Sequence, residues 1–298
     1  MLKSEHKVWV YLLYKVGEFF SCFLPSSLAY WVAKRLADLC FLIPIGKYRS
    51  YKKAVVHNVC LVLGKDKKDP LVRKTALGVY RNFAKYLREF LWLPGLDQNR
   101  CFGMVTPLGV ENLDCALSEK KGVILLSIHF GNWEWGGLSL ALSGYKVNFL
   151  VRPHENRRTD RLFNHIREKK RIKVIPLTRL KEGIKVLKRN EILAILADEN
   201  LEQTMKAKLF SQEVDIPSGP FRLARRTKAV ITPAFIVRNR WDGRQRGIVE
   251  APLEVKKGES EEKDLQEAVN SFIQIVEDYL RYYPDHWLLL EPKGEFKK

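Results

Sequence analysis

Short apolar runs recur along the second half of the chain, and each is separated from the next by a more polar segment. Runs of this length, bounded by turn residues, are typical of strands. Three of them are almost wholly apolar, which is the pattern of strands covered on both faces. The predicted strands are 122–128, 146–152, 173–176, 192–198, 229–237 and 247–255.

The segments between these strands carry apolar residues at helical spacing. One further helix is predicted after Ser260, which can cap it and is followed by Glu261 and Glu262. The predicted helices are 70–91, 132–143, 157–170, 178–189, 219–227 and the segment after Ser260. Strands that alternate with helices favour an α/β fold, with a mostly parallel central sheet flanked by helices.

The first 50 residues have a different pattern. Two apolar, aromatic-rich segments, 8–24 and 28–45, are separated by Pro25-Ser26-Ser27. Charged residues interrupt both, so neither is the run of about 20 apolar residues that spans a bilayer cleanly. We therefore expect amphipathic, membrane-associating helices in 1–50 and one catalytic domain in 51–298; the alternative is that the first helices are ordinary core helices.

The net charge of the chain indicates what kind of partner it binds. The 298 residues include 52 Lys and Arg but 34 Asp and Glu, a net charge of +18. Such an excess favours a polyanionic partner, namely nucleic acid, an anionic membrane or an acidic carrier protein. Residues 152–189 alone hold 14 Lys or Arg and four Asp or Glu. Because these basic residues are not interleaved with aromatics as a stacking platform requires, and no nucleic-acid-binding motif occurs, nucleic acid is not the expected partner.

Motifs for metals and nucleotides are missing from the sequence. The five cysteines are irregularly spaced, so they predict reduced core thiols rather than disulfides or a zinc site. Gly131 and Gly136 have the spacing of a phosphate-binding loop, but Gly137 stands where that loop needs Lys. No GxGxxG or GxSxG occurs. We expect no metal and no cofactor.

The strongest candidate for chemistry is the segment His129-Phe130-Gly131-Asn132-Trp133-Glu134. It follows the apolar strand 122–128, and Gly131-Asn132 can form a turn and a helix cap. Ligand and catalytic sites of open α/β sheets lie at this end of the strands. A second pair with the same spacing, His286 and Glu291, lies between Pro284-Asp285 and an apolar run, where a structural role is expected.

A histidine beside a carboxylate suits the deprotonation of a weakly acidic hydroxyl. The neutral imidazole of His129 takes the proton through one ring nitrogen, and the carboxylate of Glu134 holds the other N–H. This predicts His129 as general base and Glu134 as the residue that orients it. The alternative is a buried histidine with a purely structural role.

These residues carry a resemblance to a known family. His129 to Glu134 after an apolar strand, Arg152-Pro153 with Asn156 after the next strand, and Ala197-Asp198 after ILAIL resemble the late acyltransferases of lipid A biosynthesis. That family belongs to the lysophospholipid acyltransferase-like group, whose fold is that of the glycerolipid acyltransferases. The resemblance extends over nearly the whole chain.

The resemblance implies transfer of a fatty acyl group from acyl carrier protein or coenzyme A to a hydroxyl of a membrane lipid. It implies that residues 51–298 are the acyltransferase domain and that the protein works at the cytoplasmic face of the bacterial inner membrane. Arg152 would contact an acceptor phosphate or the developing oxyanion, and Asp198 would be a second acidic site residue. Asn132 and Asn156 complete the predicted substrate-binding set.

Two departures from the family pattern concern the acceptor. Trp287 is followed by Leu288-Leu289-Leu290-Glu291 where lipid A enzymes usually have two arginines, and Arg157 replaces the usual Pro after Asn156. The acceptor is therefore a lipid A precursor or a related glycolipid or lysolipid. Two other functions stay open, a thioester or lysolipid hydrolase that uses the same pair and a basic nucleic-acid-binding protein.

Overall fold

A seven-stranded sheet forms the centre of the protein. The computed structural model describes residues 2–46, 48–96, 100, 103–199, 201, 203–239, 243–258 and 260–294. The strands of this sheet are β1 (Val105–Leu108), β2 (Val123–Ser127), β3 (Val147–Val151), β4 (Lys173–Pro176), β5 (Ile192–Leu196), β8 (Val230–Arg238) and β9 (Gln245–Val249). A separate hairpin is made of β6 (Thr204–Leu209) and β7 (Gln212–Pro217).

The strand order is β1-β9-β8-β2-β5-β3-β4. All neighbours in it are parallel except β8 and β9, which pair antiparallel. The predicted α/β class with a mostly parallel sheet is confirmed.

Helices cover both faces of the sheet. The helices of the described part of the chain are α1 (Leu2–Phe23), α2 (Ser26–Leu42), α3 (Tyr48–Leu63), α4 (Pro70–Trp92), α5 (Val110–Ser118), α6 (Trp133–Leu142), α7 (Arg157–Glu168), α8 (Leu180–Lys188), α9 (Gly219–Thr227) and α10 (Glu261–Tyr282). Side chains of β2 alternate between two cores. Ile124 and Leu126 pack with residues of α8, α9 and α10, whereas Val123 and Leu125 pack with residues of α5, α6 and α7.

Helices α1 and α2 lie against the rest of the chain on one side only. The Tyr14 ring of α1 contacts the Phe163 ring of α7 with centroids 5.2 Å apart, and the Tyr30 hydroxyl of α2 donates to Glu89 of α4 at 2.7 Å. Elsewhere these helices expose large apolar side chains: Trp9, Leu12, Leu13, Val16, Phe19, Phe20, Phe23, Leu28, Trp31, Leu36, Leu39 and Leu42. Among the described residues, no helix is both long enough and apolar enough to cross a bilayer. The division of the chain at residue 50 stays a prediction.

Several elements differ from the sequence prediction. The structure adds α3, α5, β1 and the β6–β7 hairpin, and β9 ends at Val249, so the predicted strand 247–255 is wrong in its second half. After Val249 the Glu250 N–H donates to the Pro233 carbonyl of β8, and Leu253 forms an isolated bridge with Ile231. The prediction of core thiols is also wrong for Cys40 and Cys115, which are exposed, and Cys101 lies outside the described residues.

The strand order brings two predicted site residues together. Strands β2 and β5 are parallel neighbours, and Ser127 at the end of β2 is opposite Leu196 at the end of β5. The ladder continues one step further, because the Ala197 N–H donates to the Ser127 carbonyl at 2.8 Å. His129 and Asp198, which follow these strands, therefore emerge side by side at the carboxyl edge of the sheet.

Candidate active site

His129 lies in the tight loop between β2 and α6. The loop turns at Gly131, whose φ of +61° belongs to the left-handed region. A Cβ at this position would lie 1.9 Å from the Ile236 carbonyl oxygen, so only glycine fits. The imidazole ring meets the Trp133 ring edge-on, with centroids 4.9 Å apart, and Trp133 in turn stacks on Tyr86. About one fifth of the His129 side chain is exposed.

Asp198 holds His129 through two contacts. Its Oδ1 lies 2.7 Å from His129 Nδ1, and its Oδ2 accepts the His129 backbone N–H at 2.9 Å. Asp198 itself is only 2% exposed, so this carboxylate is fixed in the protein interior. Because Nδ1 is bonded to Asp198, the imidazole presents Nε2 as the nitrogen available for chemistry.

The contact between His129 and Asp198 raises the pKa of His129 and lowers that of Asp198. Burial favours neutral His129, but the Asp198 carboxylate outweighs it and raises the pKa of His129 above its usual 6.5. Burial would also raise the pKa of Asp198, yet the His129 charge and the hydrogen bonds from His129 and Trp287 hold that pKa below its usual range. Asp198 is thus an anion that stabilises the imidazolium form of His129.

Glu199 and Arg152 flank the same ring. The Glu199 carboxylate lies 3.6 Å from His129 Nε2 and 3.6 Å from the guanidinium of Arg152, which follows β3, the strand next to β5. Burial and the neighbouring Asp198 charge raise the pKa of Glu199. Arg152 is half exposed and lines the cavity beside His129, and its predicted contact with substrate stays a prediction. Glu199 was not predicted, although its position next to Asp198 after β5 was a usable signal.

The structure corrects the predicted contact between His129 and Glu134. Glu134 is completely buried, and its carboxylate accepts hydrogen bonds from Arg167 of α7, the shortest of them 2.6 Å. The Nδ1 atom of His129 faces the neighbouring strand β5 instead, where Asp198 lies. Glu134 still lines the cavity, and the catalytic roles of His129 and Glu134 stay predictions.

The two predicted asparagines cap helices. Asn132 is the N-cap of α6, where its side chain accepts the Trp135 N–H at 3.1 Å and donates to the buried Glu89 at 2.6 Å. Asn156 is the N-cap of α7 and accepts from the N–H groups of Arg158 and Thr159. Both therefore fix the helix ends that frame the site, and their predicted substrate-binding role is not tested by these contacts.

The C-terminal segment crosses the site. The Gly131 N–H donates to the His286 carbonyl, the Leu288 N–H donates to the His129 carbonyl, and Trp287 Nε1 donates to Asp198 Oδ2 at 2.9 Å. We call residues 286–293 the C-terminal strap. The sequence placed a structural histidine here: His286 is buried, and its Nε2 accepts the Arg238 N–H. It gave no sign that Trp287 contacts Asp198.

An apolar cavity of about 250 Å³ opens beside His129. Its mouth includes His129, Arg152 and Glu199, and its interior is lined mainly by apolar side chains of α6 and of the strands beneath it: Val105, Leu125, Leu140, Phe149, Ala194, Ile236 and Val249. Gly136 and Gly137 of α6 form part of the wall. A mostly apolar space with polar residues at one side suits an apolar ligand that carries a reactive polar end.

The N-terminus of α6 adds hydrogen-bond donors beside this mouth. Trp133 and Glu134 are the first two residues of α6, so their N–H groups have no acceptor within the helix. Within the described part of the chain, no other acceptor contacts these two N–H groups, whereas the Gly131 N–H is already bonded to His286. Such donors can stabilise negative charge that develops near His129.

Within the described ranges, no three His, Cys, Asp or Glu side chains come together in a way that could hold an ion. A histidine held by a buried aspartate, beside helix N–H groups and an apolar cavity, is an arrangement that can perform acid–base chemistry.

Comparison with known proteins agrees with this class of site. Residues 3–297 match the family described as bacterial lipid A biosynthesis acyltransferase. A phosphatidylinositol mannoside acyltransferase of Mycolicibacterium smegmatis is 26% identical over 185 residues, which are 59% of this chain and 60% of that protein. A lipid A biosynthesis lauroyltransferase of Escherichia coli is 25% identical over 150 residues, 49% of this chain and 48% of that protein.

The chain belongs to the bacterial lipid A biosynthesis acyltransferase family, which confirms the resemblance drawn from the sequence. The aligned region spans about half to three-fifths of the length of these two relatives.

Proposed function

We propose that this protein transfers a fatty acyl group from an acyl thioester to a hydroxyl of a membrane glycolipid, with His129 as general base. The observation that carries the proposal is the His129–Asp198 pair at the mouth of an apolar cavity. The family membership supports an acyl transfer rather than another acid–base reaction.

The reaction needs no covalent enzyme intermediate. His129 Nε2 takes the proton of the acceptor hydroxyl while the hydroxyl oxygen attacks the thioester carbonyl carbon. Asp198 stabilises the imidazolium that forms on His129. The tetrahedral intermediate then collapses: the carbon–sulfur bond breaks, and the imidazolium returns its proton to the leaving thiolate. The products are an ester and a free thiol, and His129 is neutral again.

The oxyanion of this intermediate requires donors. The free N–H groups of Trp133 and Glu134 at the start of α6 are suited to it, and Arg152 adds a positive charge at the mouth. In other enzymes, removing one such donor costs about 2.7–4 kcal/mol. The apolar cavity beneath would hold the acyl chain.

The donor and the acceptor are proposed from charge and family. The donor is acyl carrier protein or acyl-CoA, both of which are anionic and suit the basic segment 152–189. The names of the two relatives concern lipid A and phosphatidylinositol mannoside, which supports a glycolipid as acceptor here. A lysolipid with a free hydroxyl meets the same chemical requirement.

We further propose that the protein works on the cytoplasmic face of the bacterial inner membrane and binds it through α1 and α2. The exposed apolar side chains of these helices support this binding. The basic stretch 47–53 follows directly; Lys47 lies outside the described residues, whereas Arg49 is exposed. Interfacial helices with adjacent cations bind anionic lipid surfaces in this way.

The test is an acyl-transfer assay with purified protein in vesicles of phosphatidylethanolamine and phosphatidylglycerol. Radiolabelled acyl carrier protein thioester or acyl-CoA is the donor, and a lipid A precursor, a mannosylated phosphatidylinositol and a lysophospholipid are the acceptors. We expect the natural protein to acylate one of these acceptors. The His129→Ala variant should acylate none of them. Normal turnover by His129→Ala, or release of free fatty acid without any acylated acceptor, would overturn the proposal.

A further inference from the structure

The C-terminal strap lies directly on the loop that carries His129. Residues Phe130 and Trp287 form an antiparallel bridge, with the Leu288 N–H donating to His129 O at 2.6 Å and the Gly131 N–H donating to His286 O at 2.9 Å. The strap is separated from His129 by more than 150 residues of chain, and it nevertheless contacts both partners of the His–Asp pair.

Within the strap, Trp287 contacts the carboxylate of Asp198 directly. It is 5% exposed, and its Nε1–H donates to Oδ2 of Asp198 at 2.9 Å. The same Oδ2 accepts the His129 backbone N–H, while Oδ1 faces the His129 ring. The two donors on Oδ2 determine how the carboxylate plane is turned, and so they direct Oδ1 at Nδ1.

The strap is itself held firmly. Asn58 of α3 donates to the carbonyls of Leu289 and Glu291 and accepts the Lys293 N–H. The Lys293 ammonium is almost completely buried and donates to the carbonyls of Asp215 and Glu199, at 2.9 and 3.5 Å. Leu288 and Leu289, which replace the arginines usual in lipid A enzymes, are both buried in apolar clusters.

We propose that Trp287 is a positioning residue: its indole N–H orients Asp198, so that Asp198 holds the His129 ring in the geometry that acyl transfer needs. The inference rests on the function proposed above and adds a residue to its machinery. Trp287 does not touch the reacting atoms, so it acts only through Asp198.

The charged groups around His129 determine what a pH profile reports. They come from three segments: Asp198 and Glu199 after β5, Arg152 after β3, and Glu291 and Lys293 in the strap. All of them remain in place when Trp287 is replaced by Phe. The indole N–H partly compensates the Asp198 charge, so its loss leaves more negative charge beside the imidazole and raises the pKa of His129 further.

The experiment compares Trp287→Phe with Trp135→Phe in the full-length protein. Trp135 is a matched control, because it is equally buried and its Nε1 has no hydrogen-bond partner among the described residues. For Trp287→Phe we expect kcat to fall about ten- to a hundredfold, the loss expected for a hydrogen bond to a charged group. We also expect an unchanged KM and an acid limb of the pH profile that moves to higher pH. Trp135→Phe should change neither kcat nor the acid limb.

A double-mutant cycle with Asp198→Asn separates positioning from general destabilisation. If Trp287 acts through Asp198, Trp287→Phe should have little further effect on kcat in the Asp198→Asn background. An equal fold-loss in both backgrounds, or an unmoved acid limb in Trp287→Phe, would overturn the inference. Normal turnover by Asp198→Asn and His129→Ala would instead overturn the proposed function itself.

Discussion

Among the described residues, two histidine rings contact an aspartate carboxylate, and of these two His129 lines the cavity described above. His129 Nδ1 lies 2.7 Å from Asp198, and His286 Nδ1 lies 2.9 Å from Asp285. The second ring nitrogen distinguishes them. In His286 it is occupied, because Nε2 accepts the Arg238 N–H. The Nε2 of His129 has the Glu199 carboxylate 3.6 Å away, beyond hydrogen-bond distance, and His129 lines the cavity mouth. A general base needs a free nitrogen next to its substrate, so His129 can perform that role and His286 cannot.

The first prediction concerns Asp198→Asn. The variant removes the charge that raises the pKa of His129, so the ring becomes neutral at lower pH. The acid limb of kcat/KM should therefore shift to lower pH. In addition, kcat should fall roughly 10²- to 10⁴-fold, because the imidazolium loses its partner and the imidazole loses its preferred tautomer.

The measurement is a pH profile of acyl transfer for the natural protein, Asp198→Asn and Asp285→Asn. Asp285→Asn is a matched control, since it alters a His–Asp pair away from the cavity. It should leave the acid limb where it is. An Asp198→Asn profile that coincides with that of the natural protein would contradict the assigned pair.

The second prediction concerns the ion pair of Glu134 and Arg167. Arg167→Met leaves the Glu134 carboxylate buried without its partner, and loss of one member of such a pair typically costs about 3–5 kcal/mol of the free energy of unfolding. The double variant Glu134→Gln with Arg167→Met no longer buries a charge and should regain most of that stability. Urea unfolding of the single and double variants measures this.

Turnover of the double variant tests the role of Glu134. The structure places its carboxylate on Arg167 and not on His129, so the double variant should still transfer acyl groups. Complete loss of transfer by a stably folded double variant would assign Glu134 a direct part in the reaction.

The sequence indicated that His129 follows a buried strand but did not indicate that Asp198 contacts its ring, for one physical reason. The position of His129 after a buried strand can be predicted from the residues just before it, because the run 122–128 is apolar. The pairing of His129 with Asp198 depends on β2 and β5 being neighbours in the sheet. Local sequence patterns do not predict the order of the strands. The contact of Trp287 with Asp198 is harder still to predict from sequence, since it depends on how the C-terminal strap crosses the carboxyl edge of the sheet.

At the scale of elements, two glycines allow α6 to lie close to the sheet. A Cβ at Gly137 would lie 2.3 Å from the Phe149 ring, and one at Gly136 would lie 2.5 Å from Ile236. Both residues line the cavity wall. The close approach of α6 places its first N–H groups and His129 at the same cavity mouth.

The third prediction is that Gly137→Ala destabilises the protein and that Phe149→Leu relieves the effect. The new methyl group overlaps the Phe149 ring, and overpacking of this kind typically costs about 1–3 kcal/mol. Thermal unfolding of both single variants and the double variant measures it. If Gly137→Ala is as stable as the natural protein, or if Phe149→Leu gives no relief, the contact of α6 with β3 is not as tight as described.

Elements with strong periodicity were predicted well and weakly patterned elements were not. β4 and α9 have the predicted bounds, and α6, α7 and α8 agree within two residues at each end. The β6–β7 hairpin was missed because its charged residues on one face, such as Lys206 and Lys208, dilute its apolar content, although Ala207 and Leu209 are buried on the other. β1 was missed because its four residues form no apolar run, and Val105 alone among them is buried.

At the scale of the molecule, apolar exposure is concentrated on α1 and α2. Trp9, Leu13 and Phe23 are 67%, 68% and 73% exposed, although each would be stabilised by burial. α1 also contacts α7, whose Arg157, Arg158 and Arg161 are exposed. An apolar face with cations on the adjoining helix is the combination that an anionic lipid surface attracts.

The fourth prediction is that replacing Trp9, Leu13 and Phe23 together by Ser weakens binding to vesicles without lowering the melting temperature. Each side chain contributes about 1.5–3 kcal/mol when it is transferred from water to an apolar phase, and none is buried in the protein. Flotation with phosphatidylglycerol-containing vesicles measures the bound fraction. Tyr282→Ser is the matched control, because Tyr282 is 71% exposed at the end of α10. Equal flotation of the triple variant and the natural protein would contradict membrane binding through α1 and α2, whereas a lower melting temperature would show that these side chains pack within the protein.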